Sequence, residues 1–334
     1  MQNKKLRFIG EWEKQSYTIL AMPHIDSDWN EYLSQSQEKM IEFAKEIARF
    51  QKVIMLYKYK KDIKRLENNK QILLINIATN DTWCRDFGAI SCIKNNKIIL
   101  LDFVFNAWGM KYSANLDNQV SKKLFTTNIF KNTKLKSKHF ILEGGSIDSN
   151  GDGIILTTST CLLAKNRNDL GKEKITKKLK KYFNAKKILW LENGYLSGDD
   201  TDSHIDNLAR FVNKNTIVYL KCYDKNDKHF NTLNKMEDEL KNFRNMDNKP
   251  FLLIPIPMPK AIFYNNKRLP ASYINFLFIN NALLVPIFDD KNDKIAINIF
   301  KKICKDREII PIDSRIFLRQ GGSLHCLSMN VAAI

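Results

Sequence analysis

The chain has 334 residues, 44% of them hydrophobic and 11% aromatic, a composition that supports a sizeable core and excludes an intrinsically disordered protein. Its 54 lysines and arginines against 36 acidic residues leave a formal net charge of +18. Most of this excess is lysine interleaved with asparagine and isoleucine, as in "KNNKIILLDF", and no recognised nucleic-acid module accompanies it. The charge therefore favours solvated faces over a nucleic-acid partner.

The sequence does not indicate a membrane segment, a secretion signal or a zinc site. The N-terminal "MQNKKLRFIGEWEKQ" lacks the apolar core of a signal peptide. The longest apolar stretch, "FLFINNALLVPIF", is interrupted by two asparagines and a proline and is too short to span a bilayer. The six cysteines include no C-x-x-C pair, so neither zinc nor a disulfide framework is expected. We predict a reduced, cytoplasmic protein without a membrane partner.

Hydrophobic periodicity predicts helices and short strands along the chain. An amphipathic helix is predicted over 35–49, where Met40, Phe43 and Ile47 share one face. Two apolar strands follow, "KVIMLYK" and "ILLINIA". Three further amphipathic segments predict helices over 172–183, 234–246 and 294–304.

Two-strand hairpins recur between these helices, each with an asparagine- or glycine-rich turn suited to positive φ. They span 83–105, 142–158, 204–222 and 272–288, and "GGSLHCLSMNVAAI" predicts the opening strand of a fifth. The openings recur about every sixty residues, a spacing at which an internal repeat is to be suspected. We therefore predict one α/β domain over 1–334, built from five ββαβ units, rather than the two domains that length alone suggests.

Polar residues at the hairpin openings are candidates for one site. The openings carry, in chain order, Asp86, Glu143, His204, Asp206 and Cys326. Only the hairpin over 272–288 opens without a charged group. If equivalent ends of the units face one axis, these side chains converge there, and such convergence predicts a site better than any single residue does.

Cys326 is a candidate nucleophile because thiolate is strongly nucleophilic, although free cysteines are usually small buried hydrophobes. Its neighbour His325 is expected to face away, since adjacent side chains of a strand point to opposite faces. His204 and Asp206, spaced i and i+2, are expected to share one face of a strand. There the imidazole would handle protons near neutral pH and the carboxylate would hold a substrate cation. The alternative is an ordinary surface alternation of histidine and aspartate.

The acids suit a cationic substrate. Asp86, Glu143 and Asp206 beside a thiol would raise its pKa unless a cation occupies the site. A planar, permanently charged guanidinium, which donates forked hydrogen bonds to carboxylates, meets that need. Glu143 also precedes paired glycines, where a ligand can approach the backbone closely. A cysteine protease would not require three acids.

Residues next to these motifs are expected to have mostly structural roles. Arg85 is expected to pair with the adjacent aspartate, and Cys84 and Cys92 are expected to pack. Trp108 is also expected to pack, whereas Trp83 either walls a pocket or packs.

Six motifs occur in order along nearly the whole chain: "LAMPHIDSDW", "WCRDFGAI", "FNAWGMKY", "LEGGSID", "TDSHIDN" and "GGSLHC". They resemble those of the agmatine deiminases, in the bacterial peptidylarginine-deiminase-like branch of the guanidine-modifying superfamily. The resemblance implies a pentein-like, five-bladed α/β propeller with pseudo-fivefold symmetry. It also implies that Cys326 is the nucleophile, that His204 is the general acid/base, and that the guanidinium binders are Asp86, Glu143 and Asp206.

The resemblance further implies hydrolysis of agmatine to N-carbamoylputrescine and ammonia, a step of polyamine biosynthesis, without a metal or organic cofactor. Cys326 would attack the guanidinium carbon, and a covalent amidino intermediate would form. His204 would protonate the departing ammonia and then activate water. Deimination of arginine or peptidyl arginine and amidino transfer use the same core and stay open, as do a non-enzymatic basic binding protein and a homo-oligomer.

The chain departs from the family pattern at two positions that shape the pocket wall. Ser203 stands where glycine is commoner, and Ser323 stands where Gly-Asn is commoner. In "GYLSGDDTDSH", Asp200 is the candidate for the substrate's distal ammonium, with a solvated turn as the alternative. The other residues expected to bind substrate are Trp83, Gly145 and Gly322.

Overall fold

The computed structural model describes residues 5–334 as a mixed α/β chain. Its α-helices are α1 (Leu33–Ala48), α2 (Cys84–Phe87), α3 (Ala107–Met110), α4 (Val120–Thr126), α5 (Ser159–Leu162), α6 (Lys172–Phe183), α7 (Phe230–Asn242), α8 (Lys291–Ile303) and α9 (Arg315–Leu318). Short 3-10 helices are Asn30–Tyr32, Lys60–Leu66, Asp117–Gln119, Gly144–Ser146 and Ile205–Asn207. Over the described range, no helix is both long and apolar enough to cross a bilayer.

The strands are β1 (Arg7–Phe8), β2 (Gln15–Ala21), β3 (Lys52–Tyr57), β4 (Ile72–Asn76), β5 (Ile90–Lys94), β6 (Lys97–Val104), β7 (Thr133–Ile141), β8 (Ile147–Ser149), β9 (Ile154–Thr158), β10 (Lys187–Leu191), β11 (Ala209–Asn213), β12 (Thr216–Lys221), β13 (Leu252–Pro257), β14 (Phe263–Tyr264), β15 (Lys267–Arg268), β16 (Leu277–Ile279), β17 (Ala282–Ile287), β18 (Glu308–Asp313) and β19 (Met329–Ala332). The larger sheets have the strand orders β1-β5-β6-β7, β10-β9-β8, β11-β12-β13, β16-β17-β18 and β19-β2-β3-β4. Strands β14 and β15 form a separate two-stranded ribbon.

One pairing scheme recurs in these larger sheets. An antiparallel hairpin is followed by a helix and by a strand that pairs in parallel with the hairpin's second strand, as in β8–β9, α6 and β10. A parallel pair needs such a crossover, which the helices α4, α6, α7 and α8 supply in turn. The remaining unit joins the two ends of the chain, because β19 pairs antiparallel with β2 and β2 pairs in parallel with β3 across α1.

The predicted helices are present, with shifted bounds. Helix α6 coincides with the predicted range and ends at the left-handed Asn184 (φ 53°), a common C-terminal signal. Helix α7 begins at Phe230 rather than at 234 and ends at Asn242. Helix α8 begins after Asp290, whose side chain forms a capping box with Asp293.

The helices bury their apolar faces and leave their lysines in solvent. Met40, Phe43 and Ile47, the face predicted for α1, are fully buried in one apolar cluster. A second cluster contains Phe276 and Phe300, whose rings pack edge to face with centroids 5.1 Å apart. The lysines of the helices therefore lie mostly on the solvent-facing sides.

The candidate site residues lie on short turns that precede the hairpin strands, so their predicted placement on strands is wrong. They are Asp86 in α2, Glu143 at the start of Gly144–Ser146, His204 and Asp206 around Ile205–Asn207, and Cys326 in the turn over 324–327. Paired glycines and acidic side chains favour such turns over extended backbone. The fifth opening strand is present as β19, but it starts after the cysteine.

Candidate active site

A cavity opens beside these turns. The residues predicted for the site that line it are Trp83, Asp86, Asp200, Gly322 and Cys326. Residues that the sequence did not assign to the substrate also line it, among them Asp28, Asp81, Trp108 and Tyr112. The cavity therefore combines one thiol with several carboxyl groups and aromatic walls.

Cys326 is buried at the inner end of this cavity, with 5% of its surface exposed. Its Sγ lies 3.6 Å from Asp206 Oδ2. Burial raises the pKa of the Cys326 thiol well above its ordinary value, and the nearby Asp206 and Asp86 raise it further. Without a cation in the site, the sulfur is therefore a thiol rather than a thiolate.

Asn275 is a site residue that the sequence analysis missed. Its Nδ2 donates a hydrogen bond to Cys326 Sγ at 3.0 Å. The orientation of the amide is fixed because its Oδ1 accepts hydrogen bonds from the Ser323 hydroxyl at 2.9 Å and from the His325 and Cys326 backbone amides at 3.0 and 3.3 Å. Asn275 lies on the turn before β16, so the hairpin that opens without a charge contributes an amide.

His204 is fully buried, and its Nδ1 lies 3.7 Å from Asp86 Oδ1. Neither ring nitrogen has a hydrogen-bond partner among the described residues. Burial lowers the pKa of His204 well below its ordinary value, with further lowering by Arg167 and Lys111. The imidazole is therefore neutral and free to accept a proton.

Two left-handed residues hold His204 in place. Asp202 has φ 67° and Ser203 has φ 66°, a conformation that costs a residue other than glycine about 1–2 kcal/mol. This requirement explains why glycine suits position 203 in the family pattern. The Ser203 amide donates to Asp199 Oδ2 at 3.0 Å, and its carbonyl accepts from the Thr158 hydroxyl at 2.8 Å.

Glu143 lies beside His204 and is fully buried. Its Oε1 accepts a hydrogen bond from Arg167 Nε at 2.9 Å, whereas its Oε2 has no partner among the described residues. A Glu143 oxygen, a His204 nitrogen and Cys161 Sγ lie within 4.8 Å of one another. These are donor types that bind metals, but the buried Arg167 guanidinium opposes a second cation there. The Arg167 contact was not expected, and it favours a role for Glu143 beside His204 over direct guanidinium binding.

Asp86 and Asp206 are the carboxyl groups nearest the sulfur. Asp86 accepts hydrogen bonds from Trp108 Nε1 and the Gly145 amide, both at 2.9 Å, and burial raises its pKa to about 7. Burial, together with Asp86, raises the pKa of Asp206 well above its ordinary value. Asp206 Oδ1 has no partner in the described chain, so it is free to accept a hydrogen bond from a ligand.

Gly145 allows three of these side chains to meet. A Cβ at this position would lie 2.6 Å from His204 Nδ1, 2.9 Å from Asp86 Oδ1 and 3.0 Å from Asp206 Oδ2. A Cβ at Gly322 would lie 2.3 Å from the Trp83 ring. Both glycines therefore make room for neighbouring side chains, and their predicted contact with substrate stays a prediction.

Trp108 does not simply pack, as was expected, but lines the cavity and donates to Asp86. It lies in α3, a left-handed turn in which Ala107, Trp108, Gly109 and Met110 have φ values of 51°, 53°, 92° and 66°. Asn106 holds this turn through its side chain, which accepts from the Gly109 amide at 3.0 Å. Strained backbone of this kind is typical of functional sites.

The mouth of the cavity is acidic. Asp81 accepts hydrogen bonds from Trp83 Nε1 at 3.1 Å and Trp29 Nε1 at 2.7 Å, which fix the Trp83 wall. Asp200 is exposed, and its Oδ2 accepts a hydrogen bond from the Tyr112 hydroxyl at 2.6 Å. The acids beside Asp200 in the sequence bind other protein groups, so Asp200 is the one of that run that lines the cavity.

Arg85 pairs with Glu11 rather than with Asp86, which corrects the expected ion pair. Its Nη2 lies 3.1 Å from Glu11 Oε1 and 2.8 Å from Asn330 Oδ1. His325 also points away from Cys326, as expected, although the two lie on a turn rather than on a strand. Cys84 and Cys92 are buried, which agrees with packing roles.

The raised thiol pKa predicts slow alkylation of Cys326 in the free protein. The thiolate is the reactive species, so the second-order rate constant with iodoacetamide should keep rising through pH 9, the ordinary thiol pKa. Peptide mass spectrometry would measure alkylation of the peptide that contains Cys326. The Cys326→Ser protein would give the alkylation rate of the other buried cysteines as the background. A rate that levels off below pH 8 would show an activated thiolate and contradict this assignment.

Comparison with known proteins places the site in a family. The model of the Porphyromonas-type peptidyl-arginine deiminase family matches residues 7–331. The agmatine deiminase of Pseudomonas syringae pv. tomato is 30% identical, covering 97% of this chain and 95% of that protein. A cysteine-to-serine variant of C. jejuni agmatine deiminase, solved with substrate bound, is 47% identical with a TM-score of 0.94, covering 98% of this chain and 97% of that one.

A more distant likeness extends to a protein of very different sequence. A dimethylarginine dimethylaminohydrolase matches with a TM-score of 0.53 over 95% of this chain, at 10% identity, which supports a shared fold alone. The family match covers almost the whole described chain, including every turn that contributes to the cavity. The chain therefore belongs to the Porphyromonas-type peptidyl-arginine deiminase family.

Proposed function

We propose that this chain is an agmatine deiminase, which hydrolyses agmatine to N-carbamoylputrescine and ammonia. The observation that carries the proposal is the pair of buried carboxyl groups, Asp86 and Asp206, close to the Cys326 thiol and to a neutral His204, with Asp86 and Cys326 lining one cavity. The 47% identity to an agmatine deiminase solved with substrate bound supports the same assignment.

Guanidinium binding is the first step of the proposed mechanism. The cation would donate hydrogen bonds to Asp86 and to the free Oδ1 of Asp206, which favours the ionised form of both acids. The same positive charge would lower the pKa of Cys326, which the acids raise in the empty site. Substrate binding therefore favours the thiolate at the moment when the guanidinium carbon faces it.

Covalent chemistry would follow at the guanidinium carbon. Cys326 gives its proton to His204 and attacks the carbon, forming the C–S bond. His204 returns that proton to a terminal nitrogen as the C–N bond breaks, so ammonia leaves and an S-alkylthiouronium remains. His204 then takes one proton from water as the oxygen attacks the same carbon. The C–S bond breaks and the second water proton passes to sulfur, so the ureido product and the Cys326 thiol form, and His204 releases its proton to solvent.

Glu143 and Arg167 would act on His204 rather than on substrate. The buried Glu143–Arg167 pair lies within reach of the imidazole, and an unpartnered Glu143 oxygen is available to it. A carboxylate there would stabilise the imidazolium that forms transiently. This assignment revises the expectation that Glu143 binds the guanidinium.

The acidic mouth favours agmatine over arginine. Agmatine carries an ammonium at the end remote from its guanidinium and lacks the α-carboxylate of arginine. Asp200, Asp28 and Asp81 line the cavity and would attract the ammonium and repel a carboxylate.

We also propose that the recurring ββαβ units form the five blades of an α/β propeller, within one domain over 1–334 and with the site at its axis. The proposal is supported by the shared position of the site residues on the turn before each hairpin. A cytoplasmic location and a homo-oligomer stay predictions.

Removal of the nucleophile should abolish ammonia release. Cys326→Ser is expected to lower kcat for agmatine by about 10³-fold or more, because the hydroxyl does not replace the thiol in the covalent step. Cys304→Ser, at another buried cysteine remote from the cavity, should retain most of the activity. Full activity of the Cys326 variant would refute the mechanism, and release of putrescine without ammonia would indicate an amidinotransferase.

A methyl group at position 145 should disorganise the site without unfolding the protein. Gly145→Ala is expected to lower kcat/KM by about 10²-fold, since the new Cβ displaces His204, Asp86 or Asp206. Gly171→Ala, where a Cβ would have no atom within 4 Å, is the matched control and should keep near-normal kcat/KM. Equal activities of the two variants would show that the close approach at Gly145 is not needed.

The substrate preference is tested by steady-state kinetics. The kcat/KM for agmatine should exceed that for arginine by more than about tenfold, a difference of 1.4 kcal/mol. Asp200→Asn should raise KM for agmatine with little change in kcat and should reduce the preference for agmatine over arginine. The control Asp238→Asn, on the exposed face of α7, should change neither KM nor the preference. Equal or better turnover of arginine would rule out agmatine while leaving the deiminase chemistry intact.

A further inference from the structure

A second cavity is lined by His325, the sequence neighbour of the Cys326 thiol. Adjacent residues on two turns face opposite cavities: Asp86 and Cys326 line the first, whereas Arg85 and His325 line the second. Asp206 lies between the cavities, where its Oδ2 contacts both Cys326 Sγ and His325 Nδ1. The wall between them is therefore made of ionisable groups.

His325 is held between two carboxyl groups and is 3% exposed. Its Nδ1 lies 2.8 Å from Asp206 Oδ2, and its Nε2 lies 3.0 Å from Glu11 Oε2. Glu11 comes from the segment between β1 and β2, far from both other residues in sequence. The three side chains form a continuous path from the second cavity to the residue beside the nucleophile.

The two contacts restrict where protons lie. Glu11 also faces two guanidinium groups, Arg85 Nη2 at 3.1 Å and Arg210 Nη2, so it is a carboxylate and accepts the Nε2 proton of His325. The contact between Nδ1 and Asp206 then requires one proton, carried either by the carboxyl oxygen or by the imidazole. An ionised Asp206 is compatible with this hydrogen bond only if His325 is an imidazolium.

Charges around His325 act in both directions. Those close enough to matter are Arg85, Arg210, Glu11, Asp206, Asp86, Asp148, His204 and Cys326. In the empty site, burial and the two arginines lower the pKa of His325, while burial and Asp86 raise that of Asp206. The shared proton therefore lies on Asp206 until a cation arrives on its other side.

We propose that His325 is a positioning residue that takes up the proton of Asp206 when a guanidinium binds, so that Asp206 becomes a carboxylate without loss of a proton to solvent. The inference rests on the proposed guanidine substrate. One proton moves 2.8 Å from Asp206 Oδ2 to His325 Nδ1, while Nε2–H stays hydrogen-bonded to Glu11. Asp206 is then fully ionised, and its free Oδ1 accepts a hydrogen bond from the guanidinium of the substrate.

Calorimetric proton counting tests this directly. Agmatine is titrated into Cys326→Ser protein near pH 7 in two buffers of different ionisation enthalpy. The titrations are repeated with Cys326→Ser/His325→Leu protein, in which position 325 has no imidazole to accept the proton of Asp206. The double variant should release about one more proton per agmatine than the single variant. A His139→Gln change, at an exposed histidine, should leave the count as in the single variant.

A second measurement needs no substitution at 325, in case that variant does not fold. In ¹⁵N-histidine-labelled Cys326→Ser protein, agmatine should move both ring nitrogens of one histidine to imidazolium frequencies. Equal proton release with and without His325, or a ring that stays neutral with agmatine bound, overturns the proton transfer while leaving the deiminase assignment intact. Absence of agmatine binding to folded Cys326→Ser protein would instead contradict the proposed function, and the transfer with it.

Catalysis by the intact enzyme gives an independent readout. With His325 present, the ionisation of Asp206 should add little pH dependence to kcat/KM near neutrality, because the proton moves to His325 and not to solvent. In His325→Leu protein, substrate binding must expel that proton to solvent, so kcat/KM should fall about tenfold for each pH unit below the raised pKa of Asp206. A loss of activity in His325→Leu that is equal at all pH values would indicate a purely structural role.

Discussion

The burial of acidic side chains is the constraint on which this site depends. Asp86, Glu143 and Asp206 are each less than 5% exposed, and burial raises the pKa of every one of them. Glu143 is balanced by Arg167 at 2.9 Å, whereas Asp86 faces the cavity and Asp206 has an oxygen without a hydrogen-bond partner among the described residues. A ligand that brings a delocalised positive charge with several N–H donors therefore stabilises the site more than a neutral one does. The same charge favours the Cys326 thiolate, so the acidic site explains both the binding of a guanidinium and the activation of the sulfur.

The fold brings these acidic side chains together through a repeated local feature. Each ββαβ unit places a short turn before its hairpin, and the turn rather than the strand carries the polar side chain. Turns allow neighbouring residues to face different cavities, which separates Cys326 from His325 and Asp86 from Arg85. The first cavity is thereby lined by Cys326 and Asp86, and the second by His325, Arg85 and Glu11. Asp206 contacts both sides, which makes it the point where charge in one cavity influences the other.

Much of this arrangement was predictable from sequence because it depends on local patterns. The repeat of hairpins and amphipathic helices predicted the units, and the polar residues at their openings predicted Cys326, His204, Asp86 and Asp206 together. The strand assignment was wrong because glycine and acidic side chains favour turns at those openings. The exposed Asp200, predicted as the partner of the distal ammonium that the family resemblance implies, lines the cavity.

Other site features depend on contacts between distant segments and left no local signal. Asn275 is an ordinary asparagine in sequence, and only the fold brings its amide to Cys326. Glu11 reaches Arg85, Arg210 and His325 across most of the chain. Gly109 indicated one positive φ in the turn at Trp108. The turn has four consecutive positive φ values, three of them at residues that rarely adopt this conformation, and it depends on surrounding hydrogen bonds.

The most direct test of the account is rapid-quench mass spectrometry of the wild-type enzyme mixed with agmatine. The account predicts a transient adduct on the peptide that contains Cys326, with the mass of agmatine less ammonia, formed and lost at rates that match ammonia release. Ammonia release with no adduct, or an adduct on another cysteine, would contradict the claim that the buried acids of this cavity direct a guanidinium carbon onto Cys326.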